Sequence, residues 1–187
     1  MSASKTTNPL FTPFSLGPLS LKNRIVMAPM TRQQSPNYVP TAATADYYAR
    51  RAAGGVGLII TEGVGIGHDK DLGADDIPRL QGAEALAGWA QVVDKVHAAG
   101  GKIMPQLWHV GATFSGGVGP SDVHHPNLND DEAPGPALSD DDIQNIIKDY
   151  AQSARNAQEL GFDGVEVHGA HGYLIDQFLW DKTNKRT

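Results

Sequence analysis

Apolar positions along the chain switch between short continuous runs and a three-to-four-residue period. The continuous runs are Arg24 to Met30, Val56 to Thr61, Lys102 to His109 and Phe162 to His168, each read as a strand. Val56 to Thr61 does not alternate, so it is expected to be buried on both faces, as in a parallel sheet. Between these runs lie helical stripes. Thr41 to Ala53 sets Ala45, Tyr48 and Ala52 on one face and stops at Gly54-Gly55. Glu84 to Ala99 does the same with Leu86, Trp89, Val93 and Val96, and stops at Gly100-Gly101. Ser139 with Asp142 three residues on forms a capping-box signal ahead of Ile143, Ile146, Ile147, Tyr150, Ala154, Ala157 and Leu160, with Gly161 as the stop. Tyr173 to Trp180 starts a fourth helix. Strand and helix in alternation predict an α/β protein with a parallel sheet.

Three features sit outside this alternation. Phe14, Leu16, Leu19 and Leu21 flank Gly17-Pro18, predicting a short hairpin able to plug the end of a barrel. Pro105 lies inside the third strand and cannot donate a ladder hydrogen bond, so regular pairing is expected to break there. Val110 to Ala137 is a loop of about 28 residues rich in Gly, Pro, His and Asp, and a loop that long in a compact domain suggests an active-site excursion.

Length sharpens the picture. Arg24 and Phe162 start the first and fourth strands and enclose three βα units, a pitch of about 46 residues, so eight units need about 370. The chain has 187 residues and ends just past the start of a helical pattern. It holds about half of such a barrel, or else a small open sheet of four parallel strands, after a disordered start over 1–10. Four strands alone would leave bare sheet edges.

Composition narrows the partners. Fifteen basic against 21 acidic residues give a net charge of -6, no footprint for nucleic acid. No apolar run approaches the roughly 20 residues of a membrane span, and Met1 to Pro9 lacks the apolar core of a secretory signal, which predicts a cytoplasmic protein. Zero cysteines exclude disulfides, thiolate metal sites and a cysteine nucleophile.

The densest chemistry is Glu166-Val167-His168-Gly169-Ala170-His171-Gly172-Tyr173, at the carboxyl end of the fourth strand, where active sites of parallel sheets collect. Two histidines there fit donors to a substrate oxygen, zinc ligands, or side chains satisfying local backbone. No His-Glu-x-x-His motif accompanies them, so no metal is expected. His124-His125 read as solvated loop residues, and His97 as a cation at a helix end. Gly63, Gly65 and Gly67 form a glycine-rich turn without G-x-G-x-x-G or P-loop spacing.

Taken together, Asn23-Arg24-Ile25-Val26-Met27-Ala28-Pro29-Met30-Thr31, Gly57-Leu58-Ile59-Ile60-Thr61-Glu62-Gly63, Gln106-Leu107-Trp108-His109 and His168-Gly169-Ala170-His171-Gly172-Tyr173-Leu174 resemble the old yellow enzyme family of FMN-dependent ene-reductases. The resemblance covers Phe11 to Thr187 and includes Thr183-Asn184-Lys185-Arg186-Thr187, through which the family's chains normally continue into the second half of an eight-stranded barrel, so it implies that 11–187 supplies the N-terminal hairpin and about the first four βα units of a (β/α)8 TIM barrel.

The resemblance implies FMN as cofactor and NAD(P)H as hydride donor, with an activated alkene (an enone, enal, nitroalkene or maleimide) as substrate. Pro29 and Met30 would lie against the flavin ring, Thr31 would bond its O4 edge, Gly63 would allow close backbone approach, and Gln106 would bond the pyrimidine edge. His168 and His171 would bind the substrate oxygen, Tyr173 would give a proton to Cα, and Trp108 would wall the substrate pocket. Ala112 stands where many members carry arginine, Thr31 where one subgroup carries cysteine, and Arg32-Gln33 where residues near the pocket vary. The family's cationic contact to the flavin N1/O2 edge and its phosphate cradle lie on later strands, so activity is expected to need a complementary C-terminal fragment. Two alternatives stay open: a non-catalytic half-barrel that self-associates as a homo-oligomer, and a metal-dependent barrel hydrolase using His168 and His171.

Overall fold

The computed structural model describes residues 8–187. Of the start over 1–10, residues 1–7 lie outside the described residues, and Pro9–Phe11 forms a 3-10 turn whose N–H at Leu10 is capped by the Asn8 side chain.

A four-stranded parallel sheet runs in the order β3 (Val26–Met27), β4 (Leu58–Gly65), β5 (Lys102–Trp108), β6 (Glu166–Val167). Helices α1 (Ala42–Ala53), α2 (Ala83–Ala98) and α3 (Asp140–Glu159) connect successive strands, and α4 (Leu174–Leu179) follows the last. Sequential strands that neighbour in order, joined by helices, make this the βα progression of a partial barrel.

The centre of the sheet is where the sequence pattern is strongest. All eight residues of β4 are buried. One face packs Ile59 and Val64 into the main core with Tyr48 and Ala52 of α1 and Trp89, Val93 and Val96 of α2. Its other face turns Leu58 and Ile60 toward Leu19 and Leu21 of the hairpin β1 (Phe14–Leu16) and β2 (Leu19–Leu21). The hairpin thus seals the sheet face away from the helices.

At Pro105 the register between β4 and β5 slips: Ile60 opposes Met104, and the next pair is Gly63 with Gln106. Two residues, Thr61 and Glu62, face one proline that has no N–H to give. The Thr61 hydroxyl instead accepts from the Gln106 N–H at 3.2 Å.

Four expectations need correction. The outer strands are only two residues long, not seven, because each pairs on one side alone. Gly63 and Gly65 belong to β4, not to a turn, since their backbone pairs with Gln106 and Trp108. Ile147, expected on the buried stripe of α3, is 55% exposed and lines an apolar groove with Phe178 and Leu179 of α4. His125, expected in solvent, is buried. The capping box is present: Ser139 Oγ accepts from the Asp142 N–H at 3.1 Å, and Asp142 accepts from the Ser139 N–H at 3.0 Å. No helix among the described residues is long and apolar enough to cross a membrane.

Candidate active site

The carboxyl ends of β3, β5 and β6 open onto a cavity of about 320 Å³. Its wall includes Pro29, Thr31, Gln106, Trp108, Glu166, His168, His171 and Tyr173. Seven of the nine residues expected at the site therefore converge. The other two lie apart from the cavity wall: Met30 is 65% exposed, and Gly63 lies beneath Trp108, where an added Cβ would come within 2.3 Å of the indole. The close approach that Gly63 allows in this chain is that of the tryptophan ring.

On the β5–β6 side the aromatic rings form one cluster. Trp108 meets Tyr173 edge-on at 4.8 Å between centroids and stacks on His168 at 6.0 Å, while His168 meets His171 edge-on at 5.3 Å. Burial and the neighbouring His171 pull the His168 imidazole below its ordinary pKa, partly offset by Glu166 and Asp176, so the ring is neutral at neutral pH. Its Nδ1 accepts from the Ala170 N–H at 3.4 Å, which leaves the proton on Nε2. His171 sits at φ +61°, a left-handed backbone uncommon for a side-chain-bearing residue, inside a turn strapped by Gly172 N–H to Asp176 at 2.8 Å.

The strap has a second layer that the sequence did not reveal. The Gly172 carbonyl accepts from Gln177 Nε2 at 2.7 Å and from His125 Nε2 at 3.0 Å. His125 reaches it from the long loop, with its Nδ1 taken by the Asn127 N–H. A glutamine among Leu174, Ile175, Phe178 and Leu179 was the available signal, because a buried amide in an apolar stripe requires partners.

On the β3–β4 side, Arg32 is not on the cavity wall. Its guanidinium pairs with Glu62 at 2.7 Å, and its backbone N–H donates to the same carboxylate at 3.2 Å. Tyr48 donates to Glu62 Oε1 at 3.2 Å and accepts from the Glu62 N–H at 2.9 Å. Burial and the adjacent carboxylate push the Tyr48 hydroxyl far above its ordinary pKa, so it stays a donor. Because Glu62 grips the Arg32 amide, it fixes the preceding residue, Thr31, at the cavity mouth.

A partial βα barrel whose strand ends gather hydrogen-bond donors around an aromatic pocket places its candidate site where βα-barrel enzymes carry theirs. A profile of the NADH:flavin oxidoreductase / NADH oxidase family matches residues 9–187, and the chain belongs to this family, that of old yellow enzyme. It is 42% identical to 12-oxophytodienoate reductase 2 of Arabidopsis thaliana over 98% of this chain and 53% of that protein. It is 44% identical to the chanoclavine-I aldehyde reductase of Penicillium roqueforti over 95% of this chain and 50% of that protein. Among solved structures, morphinone reductase in complex with tetrahydroNAD superposes with a TM-score of 0.87 at 39% identity, and Old Yellow Enzyme from Pichia sp. AKU4542 with 0.91 at 32%. These cover 97% of this chain and 55% and 51% of theirs. The chain spans about half the length of the relatives it matches.

The family implies a flavin, FMN, and the ring end of that group fits this wall. The Thr31 hydroxyl and Gln106 amide line it, and the buried Trp108 indole N–H has no partner among the described residues. Gln106 Nε2 is held by Glu166 at 2.7 Å, which orients the amide. No lysine or arginine lines the cavity among the described residues.

Proposed function

We propose that this chain carries the substrate-binding and proton-donating half of an FMN-dependent ene-reductase, completed by a complementary C-terminal half of the barrel. The observation that carries this is the convergence of His168, His171 and Tyr173 around Trp108 in one cavity at the strands' carboxyl edge. When bound, FMN supplies the hydride that NADH or NADPH has delivered to it.

The chain's residues do the rest. His168 Nε2–H and His171 donate to the carbonyl or nitro oxygen of an activated alkene, an enone, enal, nitroalkene or maleimide. Donors aimed at that oxygen favour the enolate-like charge that builds as Cβ is reduced, an effect of about 2.7–4 kcal/mol for one well-placed donor. A neutral His168 keeps this contact a donation without a full charge. Tyr173 transfers its phenolic proton to Cα. Trp108 packs against both Tyr173 and His168 and so shapes the space where the alkene lies. Thr31 and Gln106 would hold the flavin's O4 and pyrimidine edges, and Pro29 and Met30 would supply the backbone beside the ring.

The test is Tyr173→Phe in the FMN-loaded barrel assembled from both halves. The alkene-reducing half-reaction should slow by about 100-fold or more, while flavin reduction by NADH or NADPH is largely spared. Equal loss in both half-reactions overturns the proton-donor role.

A further inference from the structure

Gln177 is fully buried, and its side-chain amide bonds two separate segments. Oε1 accepts from the Ala112 N–H at 3.1 Å, and Nε2 donates to the Val110 carbonyl at 3.3 Å and to the Gly172 carbonyl at 2.7 Å. Both N–H groups and an oxygen lone pair are thus in use. Val110 and Ala112 follow Trp108 by two and four residues. The Gly172 carbonyl belongs to the peptide that leads into Tyr173, and the Gln177 backbone N–H holds the Tyr173 carbonyl at 2.9 Å. One side chain therefore ties down the backbone on both sides of the edge-on contact between Trp108 and Tyr173. Gly111 makes room for it, since a Cβ there would meet the Gln177 oxygen at 2.3 Å.

We propose that Gln177 is a positioning residue that sets the Tyr173 phenol against the Trp108 wall, and so aims the proton donor at the substrate. This deepens the ene-reductase function above and rests on it. Gln177 touches no substrate; it acts through the Gly172–Tyr173 peptide. His125 grips the same carbonyl from the long loop, and among the described residues its other ring nitrogen is taken by the Asn127 N–H, so it holds the turn without coupling the two segments.

A double-mutant cycle separates aiming from general support. Two substitutions are used: Gln177→Met removes all three bonds, and Gln177→Glu keeps the shape should the first variant not fold. In the FMN-loaded barrel assembled from both halves, either change should slow the alkene half-reaction about 10- to 100-fold, the cost of a small misplacement of a reacting group. In a Tyr173→Phe background the same change should cost less than about threefold. An equal loss in both backgrounds overturns the proposal, because support unrelated to Tyr173 would be additive.

Hydrogen exchange and ring contacts in the 187-residue chain give a readout independent of turnover. The Ala112 amide should exchange at least about tenfold faster in the variants, and the Trp108–Tyr173 nuclear Overhauser contact should weaken. Unchanged exchange with an intact ring contact overturns the proposal even where Tyr173→Phe behaves as required. A Tyr173→Phe variant with an undiminished alkene half-reaction overturns the underlying function instead, leaving the clamp to be judged by exchange alone.

Discussion

The two sides of the cavity are held in opposite ways. On the β3–β4 side a charge does the holding: the Glu62 carboxylate, with its side chain entirely buried, gathers the Arg32 guanidinium, the Arg32 amide and the Tyr48 hydroxyl. On the β5–β6 side the fully buried anchors are neutral, namely the Gln177 amide, the His125 ring and the His109 ring behind Trp108, while the Asp176 carboxylate that straps the Gly172 N–H is only half-buried. A buried ion pair is rigid but intolerant, because removing one partner strands the other charge. A neutral amide loses less when disturbed, and it adds no further charge to a field around His168 already set by Glu166 and Asp176. The charged anchor stands behind the residues expected to face the flavin, and the neutral anchors stand behind those expected to face the substrate.

The largest effect expected from this contrast comes from Glu62→Ala. It leaves the Arg32 guanidinium, 13% exposed, unpaired and should cost about 3–5 kcal/mol in denaturant unfolding. A loss below about 1 kcal/mol would dissolve the distinction between the two sides. Next is Gly63→Ala, which joins the sides directly. The new Cβ would press within 2.3 Å of the Trp108 ring, so about 1–3 kcal/mol of stability should be lost and the tryptophan displaced, as read by its fluorescence.

The smallest is a pH effect on the neutral side. Burial, with His68 and Arg79 nearby, lowers the His109 pKa from 6.5 to about 3. The Gly111 N–H donates to its Nδ1 at 3.0 Å, so Nε2 carries the proton toward His68 at 3.2 Å. The unfolded chain takes up a proton below about 6.5 while the folded one does not until about 3. Stability should therefore fall as pH drops through this window, by at most about 1.4 kcal/mol per pH unit. His109→Asn should flatten that slope, and an unchanged slope would mean the ring titrates normally in the fold.

How much of this was legible follows from where the signals lie. Helices were clear because their stripes and caps are local: Ser139 and Asp142 sit where the cap is observed. Strand β4 was clear because burial on both faces leaves a continuous apolar run. The edge strands were not, since a run such as Phe162 to His168 reads alike whether two residues pair or seven.

At the site, the His168 to Tyr173 segment was legible because its donors are adjacent in sequence. The networks behind it join residues 30 apart, as with Arg32 and Glu62, or 65 and 67 apart, as with Gln177 and its loop partners. Each nonetheless left a trace. Glu62 closes an otherwise apolar buried run, and Gln177 interrupts an apolar helix face. A polar group in such a place demands a partner, although the sequence does not name it.

The left-handed backbone at His171 bears on heredity as well as on binding. Besides glycine, the residues that enter this conformation at modest cost are asparagine, aspartate and histidine. Of these, only asparagine and histidine bring a side-chain N–H at neutral pH. The turn thus narrows the mutational routes open at this position before any selection on catalysis acts. A lineage can exchange one donor for the other in place, but lysine, serine or glutamine would require the backbone to change first.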